Sequence, residues 1–224
     1  MPSRIVEKFE MVFPSVVAIV GCGGKTSLIK HLAESYQDKR VLISPTTKIF
    51  PIVAGKADCR GVLNSLTGKL EALPADELAA LVLEYDLALL EADGSRSLPC
   101  KGWRENEPVV PVYFSHTIGI ITMNALGKAA THEHVHNLPL FLSLTGLHEG
   151  EKITMQALQA MVCSPGGMFK NSVGKRILFI NQVEAAQRAD CARDFLLAVK
   201  NNCPGFFEKL LYGSVHLDKV QEVK

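Results

Sequence analysis

The residues best suited to chemistry in this 224-residue chain fall into two short runs. One is Gly21-Cys22-Gly23-Gly24-Lys25-Thr26-Ser27; the other is Glu91-Ala92-Asp93, followed by Arg96 and Lys101. Glycines let backbone amides approach an anion with no Cβ in the way. A helix beginning just behind them adds unpaired amides and a partial positive charge. Lys25 would supply a mobile cation for the β- and γ-phosphates of a nucleotide, and the hydroxyl of Thr26, with Ser27 beside it, is a ligand type for Mg²⁺. Residues two apart on an extended strand share a face. Glu91 and Asp93 can therefore meet one Mg²⁺ or orient an attacking nucleophile. Arg96 and Lys101 are of the type that binds a transferring phosphate or an anionic second substrate.

These groups need elements to hold them. The apolar run 16–20 reads as a buried parallel strand, and behind Lys25 the residues Leu28, Leu32 and Tyr36 recur at helical spacing. A strand, a glycine turn and a helix are the context that a phosphate loop requires. The pattern departs from G-x-x-x-x-G-K-[ST], because Ile19 stands where the first glycine would be. The shorter form, Gly21-x-x-Gly24-Lys25-Thr26, resembles the loop of Mur ligases and related ATP-dependent enzymes.

Further buried strands are expected at 41–43, 86–90, 118–121 and 177–180, with helices from Pro74 to about Glu84 and from about Glu184 to Lys200. Residues 51–70 are weakly patterned and read as loop or short edge strands. The alternation predicts an α/β chain: a three-layer P-loop nucleotide-binding fold with a mainly parallel sheet. It would form a single domain over 1–224, with a mainly helical insertion at about 123–172. Ligands of such sheets sit beyond the carboxyl ends of the strands. Thr46, Thr47 and Lys48 after the second strand and Asn181 after the fifth are therefore expected to join the nucleotide site.

Composition narrows the class. Hydrophobic residues make up 47% and charged residues 21%, and the net charge of +1 gives no electrostatic case for nucleic acid or a membrane surface. No apolar run approaches a membrane span and the N-terminus is not a signal peptide, so a cytoplasmic protein is expected. The six cysteines show no C-x-x-C pair, which favours reduced thiols. Cys22 and Cys100 stand near cations and are candidates for lowered thiol pKa values. His132, His134 and His136 share a face if extended, an arrangement open to a metal. The segment 94–108 is long, stiffened by Pro99 and Pro108, and holds the only tryptophan, Trp103; long ordered loops are usually functional.

Taken together, Gly21–Ser27, Pro45-Thr46-Thr47-Lys48-Ile49, Glu91-Ala92-Asp93-Gly94-Ser95-Arg96, Lys101 with Glu107-Pro108-Val109-Val110-Pro111, and Leu178-Phe179-Ile180-Asn181-Gln182 are similar to the YqeC family. The resemblance implies a bacterial cytoplasmic nucleotide-binding protein associated with maturation of selenium-dependent molybdenum hydroxylases. Asn181-Gln182-Val183-Glu184 resembles the Asn-Lys-x-Asp guanine signature but has Gln and Glu at its two decisive positions, which favours ATP over GTP. The expected function is thus Mg²⁺-dependent ATP hydrolysis or phosphoryl transfer. The alternatives are a GTP-switched chaperone with a protein client, such as a molybdenum hydroxylase, and a non-hydrolysing binder of an anionic cofactor such as molybdopterin.

Overall fold

Residues 3–224 are described by a computed structural model. In chain order the elements are α1 (Arg4–Phe9), β1 (Ser15–Gly21), α2 (Lys25–Ser35), β2 (Val41–Pro45), β3 (Lys48–Ile49), β4 (Asp58–Cys59), β5 (Val62–Asn64), β6 (Lys69–Glu71) and α3 (Ala75–Leu81). They continue with β7 (Leu87–Glu91), β8 (Cys100–Lys101), β9 (His116–Thr122), β10 (Val135–His136), α4 (Leu138–Thr145), α5 (Met155–Cys163), β11 (Lys175–Asn181), α6 (Ala186–Asn202), β12 (Lys209–Ser214) and β13 (Lys219–Glu222).

The main sheet runs β13-β12-β11-β9-β1-β7-β2-β4 and is parallel except for β13. Parallel strands covered on both faces need unbroken apolar runs. β1, β7, β9 and β11 have them, so these strands were legible in the sequence. Side chains alternate across the sheet. Val17 and Ile19 of β1 pack with Ile5 and Phe9 of α1 and Leu28 and Leu32 of α2. Ala18 and Val20 face the other core, with Leu78 of α3, Phe141 of α4, Leu158 of α5 and Phe195 of α6. Helices therefore cover both faces of a mostly parallel sheet, a mixed α/β architecture.

From β1 the chain passes through α2 to β2 on one side; after β7 it crosses to β9 on the other. Strand order thus reverses at β1, and open parallel sheets offer a crevice at such a point. Beyond β2 the chain leaves the sheet to form a small antiparallel flap, β3-β6-β5, where the sequence showed only weak patterning. The segment 123–172 carries β10, α4 and α5. Its Leu138, Phe141, Ile153 and Met161 belong to the same core as the sheet, and β10 pairs in parallel with β8.

Two strands have no counterpart in the sequence-based expectations. β12 extends the sheet beside β11, and β13 returns antiparallel to it. Asp218 in their connection accepts from the amides of Arg4 and Ile5 and the Ser3 hydroxyl, which ties α1 to the sheet edge.

Candidate functional site

The sheet register places the two chemical runs side by side. β7 runs parallel to β1 with Ile19 opposite Glu91, so the residues after each strand emerge together. The amide of Gly21 donates to both carboxylate oxygens of Asp93 at 3.1 Å, which fixes the start of the turn. Gly21 has φ +97°, and a Cβ there would lie 2.4 Å from the Ile120 carbonyl oxygen. Gly24, the N-cap of α2, has φ +117°, and a Cβ would lie 2.6 Å from Asn181 Nδ2. Both positions thus demand glycine on conformational and steric grounds.

The turn leaves amides free. Gly21 and Cys22 bond to Asp93 and to the Ile120 carbonyl. Gly23 to Ser27 donate no amide hydrogen bond among the described residues. The first amides of a helix have no partner within it, so these groups face an open cleft of about 800 Å³. Lys25, Thr26 and Ser27 line it, with Glu91, Arg96 and Lys48.

Lys25 is 5% exposed. Its Nζ donates to the Gly21 carbonyl at 2.6 Å and stands 3.2 Å from Asp93 Oδ1 and 3.7 Å from Glu91 Oε1. Burial opposes its charge, but Asp93 and Glu91 overcome this and hold its pKa above the usual lysine value. Glu91 accepts from the Thr26 hydroxyl at 3.5 Å. Burial raises its carboxyl pKa despite the pull of Lys25. Glu91 and Thr26 are the oxygen pair at the cleft floor, a donor set that suits Mg²⁺, which takes one or two protein oxygens and keeps waters.

Asp93 lies elsewhere than the metal role required. It is fully buried, receives Gly21 N–H, Lys25 and the Trp103 indole at 2.6 Å, and stands 3.7 Å from Lys101 Nζ. Burial alone would raise its pKa, yet Lys25, Lys101, Trp103 and the Gly21 amide bring it below the ordinary aspartate value. With both oxygens committed, Asp93 is the strut that joins the turn, its lysine and the 94–108 loop.

Lys101, expected among the phosphate-binding cations, does not reach the cleft. It is fully buried behind Asp93, paired with Glu107 at 3.0 Å, and its angles leave Nζ without a directed hydrogen bond. Thr46 donates to the Val109 carbonyl, and Thr47 Oγ1 is buried with no hydrogen-bond partner among the described residues. Asn181 donates to the Gly23 carbonyl at 2.8 Å and accepts from Val215 N–H at 2.9 Å, so it braces the turn from the other side. Arg96 and Lys48 are exposed in the cleft wall, Lys48 paired with Glu71 at 2.8 Å.

The cysteine expectation is corrected. Burial pushes the Cys22 thiol up to about 12 and Cys100 well above its usual value. Both are core residues. The three imidazoles are not gathered either: His134 contacts the Ala129 carbonyl, and no group of three or more His, Cys, Asp or Glu side chains among the described residues is arranged for a metal ion. No helix among them is long and apolar enough to cross a membrane.

Lys30, Lys69, Phe50 and Asn124, which line the cleft, were not singled out by type, and Trp103, which bonds the strut, was noted only as the lone tryptophan of its loop. A buried indole needs a partner for its N–H, and that was the one usable signal. The lining residues arrive by tertiary placement of the flap and of the segment after β9.

The protein is thus a mixed α/β chain with a mostly parallel sheet and a glycine turn at its switch point. The family model described as YqeC protein matches residues 17–139, a span that includes the turn, Glu91, Asp93, Arg96 and Lys101. Over 209 residues the chain is 34% identical to "Uncharacterized protein YqeC" of Escherichia coli strain K12, with 82% of each chain covered. It belongs to the YqeC family. No solved structure matches it.

Proposed function

We propose that the β1–α2 turn is a phosphate loop and that the protein binds a Mg²⁺-nucleoside triphosphate there. One observation carries this: Gly23 to Ser27, whose amides donate no hydrogen bond among the described residues, line with Lys25 a cleft that also holds Glu91 and Arg96. Backbone amides at a helix N-terminus and one ammonium form a ready anion site. In the free protein Lys25 is held by Asp93 and the Gly21 carbonyl; a polyphosphate would compete for the same ammonium, which stays charged at neutral pH. Thr26 and Glu91 would hold Mg²⁺, which when bound neutralises phosphate charge. Arg96, exposed in the cleft lining, is available to a γ-phosphoryl group, so hydrolysis or phosphoryl transfer is the reaction class favoured.

ATP is favoured over GTP. Glu184, at the position of the guanine-gripping carboxylate, accepts from Ser214 at 3.1 Å, and Gln182 Oε1 is taken by Thr122 and Asn124 at 2.8 Å. A role in maturing selenium-dependent molybdenum hydroxylases rests on the family resemblance alone. The test is a thermal-shift series with Mg²⁺-ATP, Mg²⁺-GTP and Mg²⁺-CTP on wild type and Lys25→Ala. Ligand at about 100 times its Kd adds ~2.7 kcal/mol. The expected result is a Mg²⁺-dependent shift, largest for ATP, that Lys25→Ala removes. Equal shifts in the two proteins would contradict the assignment.

A further inference from the structure

We propose that the flap wall of the cleft is a second binding site, for a phosphate monoester carrying a flat ring, held by Lys48 and Lys69 with Phe50 against the ring, and with Arg96 shared with the nucleotide's γ-phosphoryl group. The proposal rests on the nucleotide reading of the opposite wall, and three observations carry it.

The first is charge. The cleft is lined by Lys25, Lys30, Lys48, Lys69, Arg96 and Lys128, against the single carboxylate of Glu91. Mg²⁺ cancels much of the charge that a triphosphate brings, so one nucleotide on the glycine turn leaves the cations of the far wall unanswered. Like charges gathered in a concave site raise the local concentration of anionic ligands. Glu71 offsets Lys48 in part, but nothing comparable faces Lys69 or Arg96: neither has an ion pair within 4.0 Å among the described residues.

The second is Phe50. A large aromatic side chain 65% exposed, set in a cleft wall that is otherwise rich in lysine, is an unusual surface residue. Lys69 Nζ lies 5.0 Å from its ring centroid. An ammonium beside an accessible ring offers a phosphate and a flat apolar group their partners within a few ångströms of each other.

The third is the turn that presents Arg96. Arg96 and Ser97 both adopt left-handed backbone, φ 52° and 60°. Two successive non-glycine residues there are strained, and such strain gathers at ligand clamps. Here it places Arg96 in the lining of the cleft.

Phenyl phosphate is the probe, added to protein saturated with Mg²⁺ and a non-hydrolysable ATP analogue and read by thermal shift and calorimetry. The wild type should show a further shift, larger than that from inorganic phosphate and absent with phenol. Lys69→Ala/Phe50→Ala should weaken phenyl phosphate by about tenfold or more and leave the nucleotide shift intact; Phe50 is 65% exposed and Lys69 only half-buried, so the fold should not suffer. The proposal is overturned if wild type shows no second shift, if the double variant keeps it, or if nucleotide and phenyl phosphate exclude one another. Should the nucleotide shift be absent while phenyl phosphate still depends on Lys69 and Phe50, the nucleotide reading alone fails.

Discussion

The two walls of the cleft are built in opposite ways. On the β1/β7 side, Lys25, Asp93 and Lys101 are buried within a network that also takes in Trp103, Glu107 and the Gly21 amide. On the flap side, Lys48 and Lys69 stand on short strands and Phe50 directly follows β3, and Val62, Leu63 and Leu66 of the flap are 50%, 63% and 95% exposed. Buried polar networks rigidify when satisfied and are costly when broken. Thin, exposed elements open and reshape at little cost. One wall is therefore preorganised for one kind of ligand, and the other is free to adapt.

The most damaging change should be Asp93→Asn. It leaves two buried ammonium groups without their shared anion, and breaking a buried pair costs about 3–5 kcal/mol. A urea midpoint should fall accordingly, and a loss below about 1 kcal/mol would mean that the network is looser than its geometry. The same carboxylate sets an acid limb. Its folded pKa lies below the usual aspartate value, so its stabilisation is complete above the unfolded value near ~3.9 and fades as pH falls through the folded pKa. Stability between about pH 5 and 2 should therefore decline less steeply in Asp93→Asn than in wild type.

Glu91→Gln should act in the other direction. Its raised pKa means that its contribution is full below the unfolded carboxylate value and lost as pH rises through the folded one, a penalty at neutral pH. The variant should not lower Tm at neutral pH and should lose the Mg²⁺ dependence of nucleotide binding. Leu66→Ser in the flap should change stability by no more than about 0.5 kcal/mol. A larger loss there would erase the contrast between the walls.

The preorganised wall was also the more legible one. β1 and β7 announce themselves by unbroken apolar runs, and the glycine turn by residue type and its strand–helix setting. What the sequence hid was whether a charge faces solvent. Lys101 and Asp93 read as cleft residues because nothing local reveals that Trp103 and Glu107 fold back over them. Cys22 stood as a candidate for a lowered thiol pKa because nearby cations are visible in a sequence and burial is not. The flap was legible only as loop or short edge strands, and β13 was missed, for a simpler reason: strands of two to four residues carry too little hydrophobic period to read.

The central claim concerns backbone amides, and hydrogen–deuterium exchange reads them directly. With Mg²⁺-ATP the amides of Gly23 to Ser27 should exchange at least about tenfold more slowly, AMP should have no such effect, and Gly21 and Cys22, already bonded, should change little. If those amides exchange at the same rate with and without Mg²⁺-ATP under saturating conditions, the turn does not receive a polyphosphate.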